Sequence, residues 1–192
     1  AAIGHSDAEY SEVLQAVRHG YRHVTHLYSG MSALHRREAY RVLGVVESAY
    51  LLDELTVEII ADGKHLPPEL IKMIIKIKGK EKVALITDSL EIAGTDITEG
   101  EMSGTPFIVE DGVCKLLDRS AFAGSIASGI RLIKTCIEAG QTIETAIKTF
   151  TVNPAKLFDN NGFSKPFIKL SDYDLTTQKC RQQHFQIFLG CR

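Results

Sequence analysis

Short apolar runs alternate with amphipathic stretches along most of this chain. Four of the runs have the length of strands, at residues 1–4, 22–28, 55–61 and 83–87, and polar loop residues follow each one. Between the runs, apolar side chains recur every three or four positions, which is the spacing of one helix face. Short, mostly apolar strands joined by helices are typical of a buried parallel sheet. The pattern therefore predicts an α/β fold.

The first helices carry start and stop signals in the sequence. Ser6 and Glu9 have the spacing of a capping box, and Gly20 is placed to end the helix that follows. Pro67-Pro68 is expected to open a later helix that Gly79 ends. These signals separate the predicted strands at the intervals that a βαβ array needs.

The pattern changes beyond residue 94. Asp111-Gly112 lies between two apolar runs and predicts a β-hairpin over 106–116. Gly124-Ser125 is expected to start another helix, and Asn153-Pro154 is expected to be an N-cap followed by Pro at the first helical position. From Asn160 on, the sequence shows no sustained periodicity, so it predicts no structure there.

Composition and charge narrow the class of protein. With 192 residues, 44% of them hydrophobic and 24% charged, the chain can form one domain with a sizeable core. The net charge of -2 predicts no nucleic-acid partner. No apolar stretch has the length of a membrane span, and no signal peptide is recognised, so we expect no membrane partner. The scattered cysteines without C-x-x-C spacing favour small core or surface thiols in a reducing, cytoplasmic setting: Cys114, Cys136, Cys180 and Cys191.

Three chemically active side chains lie where predicted strands end. His5 follows the first strand, His26 ends the second and Asp88 follows the fourth. In a parallel β/α array the carboxyl ends of the strands form the active face. Two imidazoles and a carboxylate there can hold a catalytic metal and work on its water. The alternative is that the histidines cap the strand ends by hydrogen bonding, and that Asp88 caps the segment after it rather than acting as a general base.

Two further residues belong to loops at the same face. Arg37 lies in the loop after the second strand, and His65 lies in the loop after the third. Arg presents a planar fork of donors and His presents a single donor, so together they could hold an anion such as a phosphate. The alternative is that both are solvated loop residues.

Taken in order, these segments resemble one family, the N-acetylglucosamine-6-phosphate deacetylases of the amidohydrolase superfamily. The resemblance covers roughly residues 1–158, and its specificity lies in the order and intervals of the set. The matching segments are Gly4-His5-Ser6, Thr25-His26-Leu27-Tyr28, Arg36-Arg37-Glu38, Ile60-Ala61-Asp62-Gly63-Lys64-His65, Thr87-Asp88, Ala123-Gly124-Ser125 and Asn153-Pro154-Ala155.

The resemblance implies a TIM-type (β/α)8 barrel of the metal-dependent amidohydrolase kind. About four of the eight strands would be present, and His5, His26 and Asp88 would end the fifth, sixth and eighth strands of the barrel. Residues 1–158 would then be its C-terminal half, with a β-hairpin insertion near 105–117. Residues 159–192 would be a tail of unknown structure, because they lack the strand with which the family chain returns to a small β-domain.

The resemblance also implies a reaction, the hydrolysis of the acetamide of N-acetylglucosamine 6-phosphate to glucosamine 6-phosphate and acetate. His5 and His26 would be metal ligands for a divalent metal, with zinc expected first and iron or manganese as alternatives. Asp88 would be the catalytic carboxylate that takes a proton from the water and delivers one to the leaving amine. The family implies a homodimer in the full-length form.

Substrate contacts follow from the same resemblance. Arg37 and His65 match residues that hold the sugar phosphate, and Arg37 could reach a neighbouring subunit's ligand. Ser29 and Gly30 occupy the place of an Asn-Ala pair that lines the sugar site. The remaining matched positions form a substrate-lining loop: Phe122, Ala123 and Gly124.

The departures from the family leave two alternatives open. The Ser29-Gly30 pair, and the unusual Ser89-Leu90-Glu91-Ile92 run, would suit a related amidohydrolase with a different amide substrate. The family's first metal ligand is a Glu from an earlier strand that this sequence does not contain. That absence, with the exposed sheet edges of half a barrel, would suit a catalytically inactive truncated fragment.

Overall fold

The computed structural model describes residues 1–102 and 104–157, together with the backbone of two short strands further on. The chain divides into two compact units, Ala1–Asn160 and Asn161–Arg192. A short 3-10 helix, Lys80–Lys82, is also present in the first unit. In chain order, the other described elements of that unit are β1 (Ala2–Ile3), α1 (Tyr10–Arg18), β2 (His23–Val24), β3 (His35–Arg37), β4 (Tyr40–Val42), α2 (Val45–Leu51), β5 (Thr56–Ile60), α3 (Pro68–Lys78), β6 (Val83–Ile86), β7 (Glu99–Met102), β8 (Thr105–Glu110), β9 (Val113–Leu116), β10 (Phe122–Gly124), α4 (Gly129–Glu138), α5 (Ile143–Phe150) and α6 (Val152–Leu157).

The second unit is described only at two strands. These are β11 (Tyr173–Asp174) and β12 (Lys179–Cys180), which pair antiparallel. Most of the predicted tail, 159–192, lies outside the described residues.

A four-stranded parallel sheet is the centre of the first unit. Its order is β1-β2-β5-β6, and every neighbouring pair is parallel. The register places Ile3, Val24, Val57 and Val83 side by side, and all four side chains are buried. The helices cover this row, since their buried apolar residues join the same core. The predicted α/β fold with a buried parallel sheet is therefore confirmed, although the strands are shorter than the sequence suggested.

The opposite face of the sheet carries a polar group. His23 on β2 is the register partner of Thr56 on β5, and its Nδ1 lies 2.7 Å from Thr56 Oγ1. The other ring nitrogen, Nε2, lies 3.0 Å from Glu58 Oε1. Because side chains alternate across a strand, Thr56 and Glu58 project to one face and Val57 to the other. The sheet thus has one apolar face under the helices and one face with polar side chains.

Helix α1 starts three residues later than the capping pattern predicts. Glu9 is its N-cap, and the Glu9 backbone N–H donates to Glu12 Oε2 at 2.9 Å. Ser6 instead accepts from the Ala8 backbone N–H at 3.0 Å, in the loop before the helix. The predicted Ser6–Glu9 box is therefore wrong. A tertiary contact explains it, because the Ser6 backbone N–H donates to the Gly30 carbonyl at 3.0 Å and fixes Ser6 to the next loop.

Helix α3 forms as predicted, whereas the start of α4 does not. The former opens at Pro68, and Gly79 is its C-cap with a φ of 80°. The latter begins at Gly129, where the Ser128 side chain accepts from a backbone N–H of the first turn. The predicted start at Gly124-Ser125 is wrong, because this segment is taken up by strand β10 and by a bridge beyond it.

The Asn153 side chain connects α6 to the main sheet. Its Nδ2 donates to the carbonyls of Lys80 at 2.6 Å and Val83 at 2.7 Å. The helix begins at Val152, so Asn153 is inside it and the predicted N-cap role is wrong. The amide holds the entry into β6, which is a tertiary role that local pattern does not reveal.

A second, antiparallel sheet follows β6 in the chain. Its order is β10-β9-β8-β7. The predicted hairpin forms between β8 and β9, with Asp111 at φ 55° and Gly112 at φ 76° in its turn. Two positive φ values are what a type I′ turn requires, and Asp-Gly supplies them at low cost. The sequence did not predict the two outer strands of this sheet.

The structure bears on two expectations from the sequence, the state of the cysteines and the absence of a membrane span. Cys114 and Cys136 are buried free thiols, as the spacing predicted, and burial raises the pKa of the Cys136 thiol to about 11. In the part of the chain that the structure describes, no helix combines the length and the apolar character needed to cross a membrane.

Candidate active site at the strand ends

His5 and His26 come together at the carboxyl ends of β1 and β2. Their ring centroids are 4.8 Å apart, with the ring planes at 58°. The Thr25 backbone N–H donates to the Ile3 carbonyl at 2.9 Å, which extends the parallel pairing to the residue before His26. Both histidines therefore leave the sheet at the same level. The strand-end placement predicted from the sequence brings these two side chains into contact.

The Ser29-Gly30 turn closes over the His5 ring. Ser29 donates its backbone N–H to the His26 carbonyl at 2.9 Å, and Gly30 follows with a φ of 61°. A Cβ built on Gly30 would lie 2.8 Å from both Cγ and Cδ2 of His5, closer than real Cβ atoms approach other atoms. Only glycine fits both this backbone and this contact. The predicted sugar-lining pair thus lies directly against one predicted metal ligand.

One nitrogen of the His26 ring has no hydrogen-bond partner among the described residues. His26 Nδ1 is buried and accepts or donates no hydrogen bond within residues 1–102 and 104–157. Leaving a buried polar atom unpaired costs about 1–3 kcal/mol, which a bound ligand would offset. Neutral imidazole nitrogen is the commonest protein ligand for transition metals. His26 Nδ1 is therefore available to a ligand such as a metal ion.

The described residues supply part of a metal's donor set rather than all of it. Within residues 1–102 and 104–157, no three side chains of His, Cys, Asp or Glu form a cluster that could hold a metal ion. His5 and His26 together offer two nitrogens. A divalent metal fits this pair, and further donors would have to come from water, substrate or residues outside the described part.

Asp88 lies just beyond β6 with a positive φ of 46°. The segment after it is held by other groups, because Ser89 Oγ donates to the Ala127 carbonyl at 2.6 Å and the Leu90 backbone N–H donates to the Ser125 carbonyl at 2.9 Å. The exposed Asp88 carboxylate accepts no hydrogen bond from the described part of the chain. It is therefore not the cap of the following segment, and it remains free to act as a base.

The loop of Phe122, Ala123 and Gly124 lies beside the segment that follows Asp88. These three residues form β10, and a Cβ built on Gly124 would lie 2.9 Å from Leu90 Cδ2. The close approach explains why the smallest residue occupies position 124. The structure thus places the predicted substrate-lining loop next to the predicted catalytic segment.

His65 forms a buried pair with Asp62 in the loop after β5. Its Nδ1 lies 2.7 Å from Asp62 Oδ2, and the His65 and Asp62 side chains are 8% and 2% exposed. Asp62 Oδ1 also accepts from the backbone N–H groups of Lys64 and His65, both at 2.8 Å. Burial by itself raises the pKa of Asp62, but the hydrogen bonds from His65 and the two backbone donors outweigh it and hold this pKa below its ordinary value.

The His65 ring also contacts the substrate-lining loop. Its centroid is 4.8 Å from that of Phe122, at 55° between planes. Two residues predicted separately to bind substrate are therefore neighbours. Asp62, which the sequence analysis did not assign to the site, could have been found from its i,i+3 spacing to His65.

Arg131 is a second residue beside the site, after Asp62, that sequence reasoning missed. It lies in the first turn of α4, and its Nε donates to the Asp62 carbonyl at 3.0 Å. The contact joins residues 69 positions apart. No local sequence pattern around Arg131 predicts a contact with the loop after β5, because the two segments are distant in the sequence.

Arg37 lies apart from His65, on the exposed β3–β4 hairpin. Its guanidinium makes two hydrogen bonds to the Glu9 carboxylate, at 2.6 and 3.0 Å, and its side chain is 62% exposed. Glu38 and Ala39 form the hairpin turn, both with positive φ. Arg37 and His65, which were predicted to hold an anion together, thus pair with two different carboxylates in this chain: Arg37 with Glu9, and His65 with Asp62.

Comparison with known proteins gives a consistent result. No family model matches the chain. It is 38% identical over 126 residues to N-acetylglucosamine-6-phosphate deacetylase of Bacillus subtilis (strain 168), which covers 66% of this chain and 31% of that protein. It is 33% identical over 158 residues to N-acetylgalactosamine-6-phosphate deacetylase of Shewanella sp. (strain ANA-3), covering 81% of this chain and 38% of that protein.

Solved structures agree with these relatives. N-acetylglucosamine-6-phosphate deacetylase from Pasteurella multocida matches with a TM-score of 0.73 and 30% identity, over 81% of this chain and 40% of that chain. A mutant of the Mycobacterium smegmatis enzyme in complex with N-acetyl-D-glucosamine-6-phosphate matches with a TM-score of 0.73 and 27% identity, over 81% and 41%. The chain spans 31% and 38% of the length of the two relatives and 40% and 41% of the two solved chains, which is well under half in each case. By shared sequence and shared fold, it is homologous to part of the N-acetylglucosamine- and N-acetylgalactosamine-6-phosphate deacetylases.

Proposed function

We propose that this chain contributes the carboxyl-terminal half of a TIM-type amidohydrolase barrel that hydrolyses the acetamide of N-acetylglucosamine 6-phosphate. Water adds to the acetyl carbonyl, the C–N bond breaks, and the products are glucosamine 6-phosphate and acetate. The single observation that carries the proposal is the His5–His26 contact at 4.8 Å, closed by Gly30 at the strand ends. The four parallel strands, taken with the homology, support their assignment to a larger barrel.

His5 and His26 would hold a divalent metal, zinc first and iron or manganese as alternatives. Such a metal, when bound, lowers the pKa of a coordinated water and polarises the substrate carbonyl. The unpartnered Nδ1 of His26 supports this assignment. Gly30 contributes by leaving room for the His5 ring, so the pair is held without a side chain between it and the sugar site.

Asp88 is proposed as the residue that moves protons. Its carboxylate oxygens would take a proton from the attacking water and return one to the nitrogen of the leaving amine. Its exposure and its freedom from the hydrogen bonds that hold residues 89 and 90 support this role. Phe122, Ala123 and Gly124, adjacent to this segment, would line the substrate together with Ser29 and Gly30.

The phosphate contacts are proposed for His65 and Arg37. His65 is fixed beside Phe122, at the edge of the proposed sugar site. Arg37 is on an exposed hairpin and pairs with Glu9, which suits a role at a ligand of a neighbouring subunit in a homodimer. The small-molecule substrate is an amino-sugar phosphate, and a cytoplasmic location stays a prediction from the cysteine pattern.

A second candidate substrate is N-acetylgalactosamine 6-phosphate. The observation that favours it is the Shewanella relative, whose match covers 81% of this chain, together with Ser29-Gly30 at the sugar site. A related amide of another class is the third possibility. An inactive half barrel is the alternative for the isolated chain, since its described part offers two of the metal donors.

Acetate release tests the proposed reaction. A protein in which this chain completes a full barrel, supplied with zinc, is expected to deacetylate one of the two N-acetylhexosamine 6-phosphates faster than the other, and Asp88→Asn in it is expected to stop turnover while metal binding is kept. The 192-residue chain alone is assayed beside it. Glu91→Gln, a nearby loop acid, is the matched control and should retain turnover. Zero acetate release from the wild-type chain would assign it to the inactive-half alternative, and full activity of Asp88→Asn would remove Asp88 from the mechanism.

A further inference from the structure

The Asp62–His65 pair is more completely fixed than a solvated loop histidine. Asp62 Oδ2 lies 2.7 Å from Nδ1 of His65. Asp62 Oδ1 accepts hydrogen bonds from the backbone N–H groups of Lys64 and His65, both at 2.8 Å. The Asp62 side chain is 2% exposed, so water does not compete for these bonds. One carboxylate therefore sets both the loop backbone and the orientation of the ring.

The carboxylate also decides which nitrogen of His65 carries the proton. An ionised carboxylate can only accept hydrogen bonds, so Nδ1 must be the donor toward Asp62 Oδ2. Nε2 is then the ring atom left for any other partner. The Phe122 ring, 4.8 Å away, restricts rotation of the imidazole from the side of the substrate-lining loop.

Arg131 holds the same loop from α4. Its Nε donates to the Asp62 carbonyl at 3.0 Å, and its Nη2 would lie 3.1 Å from a Cβ built on Gly63. Gly63 has a φ of 77°, in the left-handed region that favours glycine. Any other residue at position 63 would be strained by this positive φ, and its Cβ would crowd the Arg131 guanidinium. The loop is thus clamped between the end of β5 and the first turn of α4.

We propose that Asp62 is a positioning residue, supported by Arg131, that keeps His65 in the Nδ1–H form and presents the lone pair of Nε2, as a hydrogen-bond acceptor, to an O–H group of the phosphorylated sugar. The proposal rests on the proposed function for the identity of that ligand. The form of the ring and the clamp on the loop rest on contacts within this chain alone. The two parts can therefore fail separately.

Replacing Asp62 by Asn makes a specific prediction about the ring. The amide oxygen would keep the two backbone donors at the Oδ1 position, which leaves the amide NH2 facing His65 Nδ1. Because NH2 is a donor, Nδ1 must become an acceptor and the proton must move to Nε2. Asp62→Asn thus exchanges one tautomer of His65 for the other without removing the histidine.

Long-range 1H–15N correlation of the histidine rings tests this in the 192-residue chain. We expect Nδ1–H for His65 in the wild type and Nε2–H in Asp62→Asn. The matched control is Glu69→Gln, an exposed carboxylate in the first turn of α3, which should leave the His65 signals unchanged. A wild-type Nε2–H form, or an unchanged Nδ1–H form in Asp62→Asn, would overturn the proposal.

Ligand affinity tests the consequence. Binding of N-acetylglucosamine 6-phosphate should weaken about threefold to tenfold in Asp62→Asn, because an Nε2–H ring can no longer accept the hydrogen bond from the ligand O–H group. Unphosphorylated N-acetylglucosamine, tested beside it, reports whether the sugar or the phosphate supplies that O–H group. Unchanged affinity for the phosphorylated sugar would contradict the positioning role. If the wild type shows the expected tautomer but binds neither sugar, the proposed function fails and the positioning role stands.

Arg131→Gln keeps the proposal testable if Asp62→Asn does not fold. It removes the Nε–H donor to the Asp62 carbonyl while leaving the carboxylate in place. We expect His65 to keep Nδ1–H, and amide hydrogen exchange at Lys64 and His65 to accelerate relative to wild type. Unchanged exchange at both amides would remove Arg131 from the proposal.

Discussion

The two histidine sites of this chain differ in how their ring nitrogens are satisfied. At the ends of β1 and β2, His26 buries Nδ1 without a described partner beside the His5 ring. In the loop after β5, His65 gives the same atom to the buried Asp62 carboxylate. An unpaired buried nitrogen favours a ligand that comes from outside the side chains, whereas a paired one fixes the ring in advance. The same residue type thus has an unpaired buried nitrogen in one place, for which we proposed metal binding, and a ring fixed by a carboxylate in the other.

The largest expected effect comes from removing the unpaired nitrogen. His26→Ala should lower zinc affinity by more than the roughly 10–100-fold that changes around a ligand typically cause, because it removes a donor outright. Isothermal titration with zinc measures it. His19→Ala is the control, since His19 is exposed and, within residues 1–102 and 104–157, its ring bonds only to the Gln15 carbonyl of the preceding helix. Equal zinc affinity in the two variants would break the contrast with His65.

Gly30→Ala sharpens the comparison without replacing either histidine of the strand-end pair. The added Cβ would lie 2.8 Å from the His5 ring, so His5 must move and zinc affinity should fall about tenfold or more. Gly20→Ala is the matched control, because Gly20 also has a positive φ, of 93°, but has nothing within 4 Å of the added Cβ. Both variants should lose about 1–2 kcal/mol of stability from the backbone alone. A Gly20 variant that loses as much zinc affinity would refute the contact explanation.

Acid stability tests the paired site. The pKa of Asp62 in the folded chain lies below the ordinary 3.8, so between those two values the unfolded chain binds more protons than the folded chain. Stability from this group is therefore complete above pH 3.8 and is lost as the pH falls through the folded value. Urea unfolding between pH 6 and pH 2 should show a smaller loss in Asp62→Asn than in wild type. Parallel curves for the two proteins would contradict the pairing.

The smallest effect is expected at Arg37. Its pair with Glu9 is exposed, and exposed pairs contribute about 0–1 kcal/mol, so Arg37→Ala should barely change urea unfolding. In an active preparation the same variant should raise KM for the phosphorylated sugar more than for the unphosphorylated one. Arg36→Ala, on the same strand, is the control. Equal changes in KM for both sugars would remove the phosphate role of Arg37.

Local patterns predicted the elements whose signals lie within a few residues. Helix α3 begins at Pro68 and ends before Gly79, and the turn of the β8–β9 hairpin is formed by Asp111-Gly112. Both were predicted because backbone φ preferences act locally. The strand-end positions of His5 and His26 followed from apolar runs in the same way. These features needed no knowledge of distant contacts.

The errors come from tertiary contacts that override local preference. The pattern around Ser6 predicts a helix cap, yet its backbone pairs with Gly30, and the helix starts at Tyr10 with Glu9 as its N-cap. The sequence also predicts Asn153 as a cap, yet its amide donates to the carbonyls of Lys80 and Val83 at the start of β6. Arg131 reaches a loop 69 residues away, which no spacing rule could indicate.

The most direct test of the central comparison is a zinc titration followed at the histidine ring nitrogens of the 15N-labelled chain. The account predicts that the ring signals of His5 and His26 shift together at one equivalent of zinc, while His65 keeps its Nδ1–H pattern. Zinc-dependent shifts at His65, or unchanged rings at His5 and His26, would contradict it.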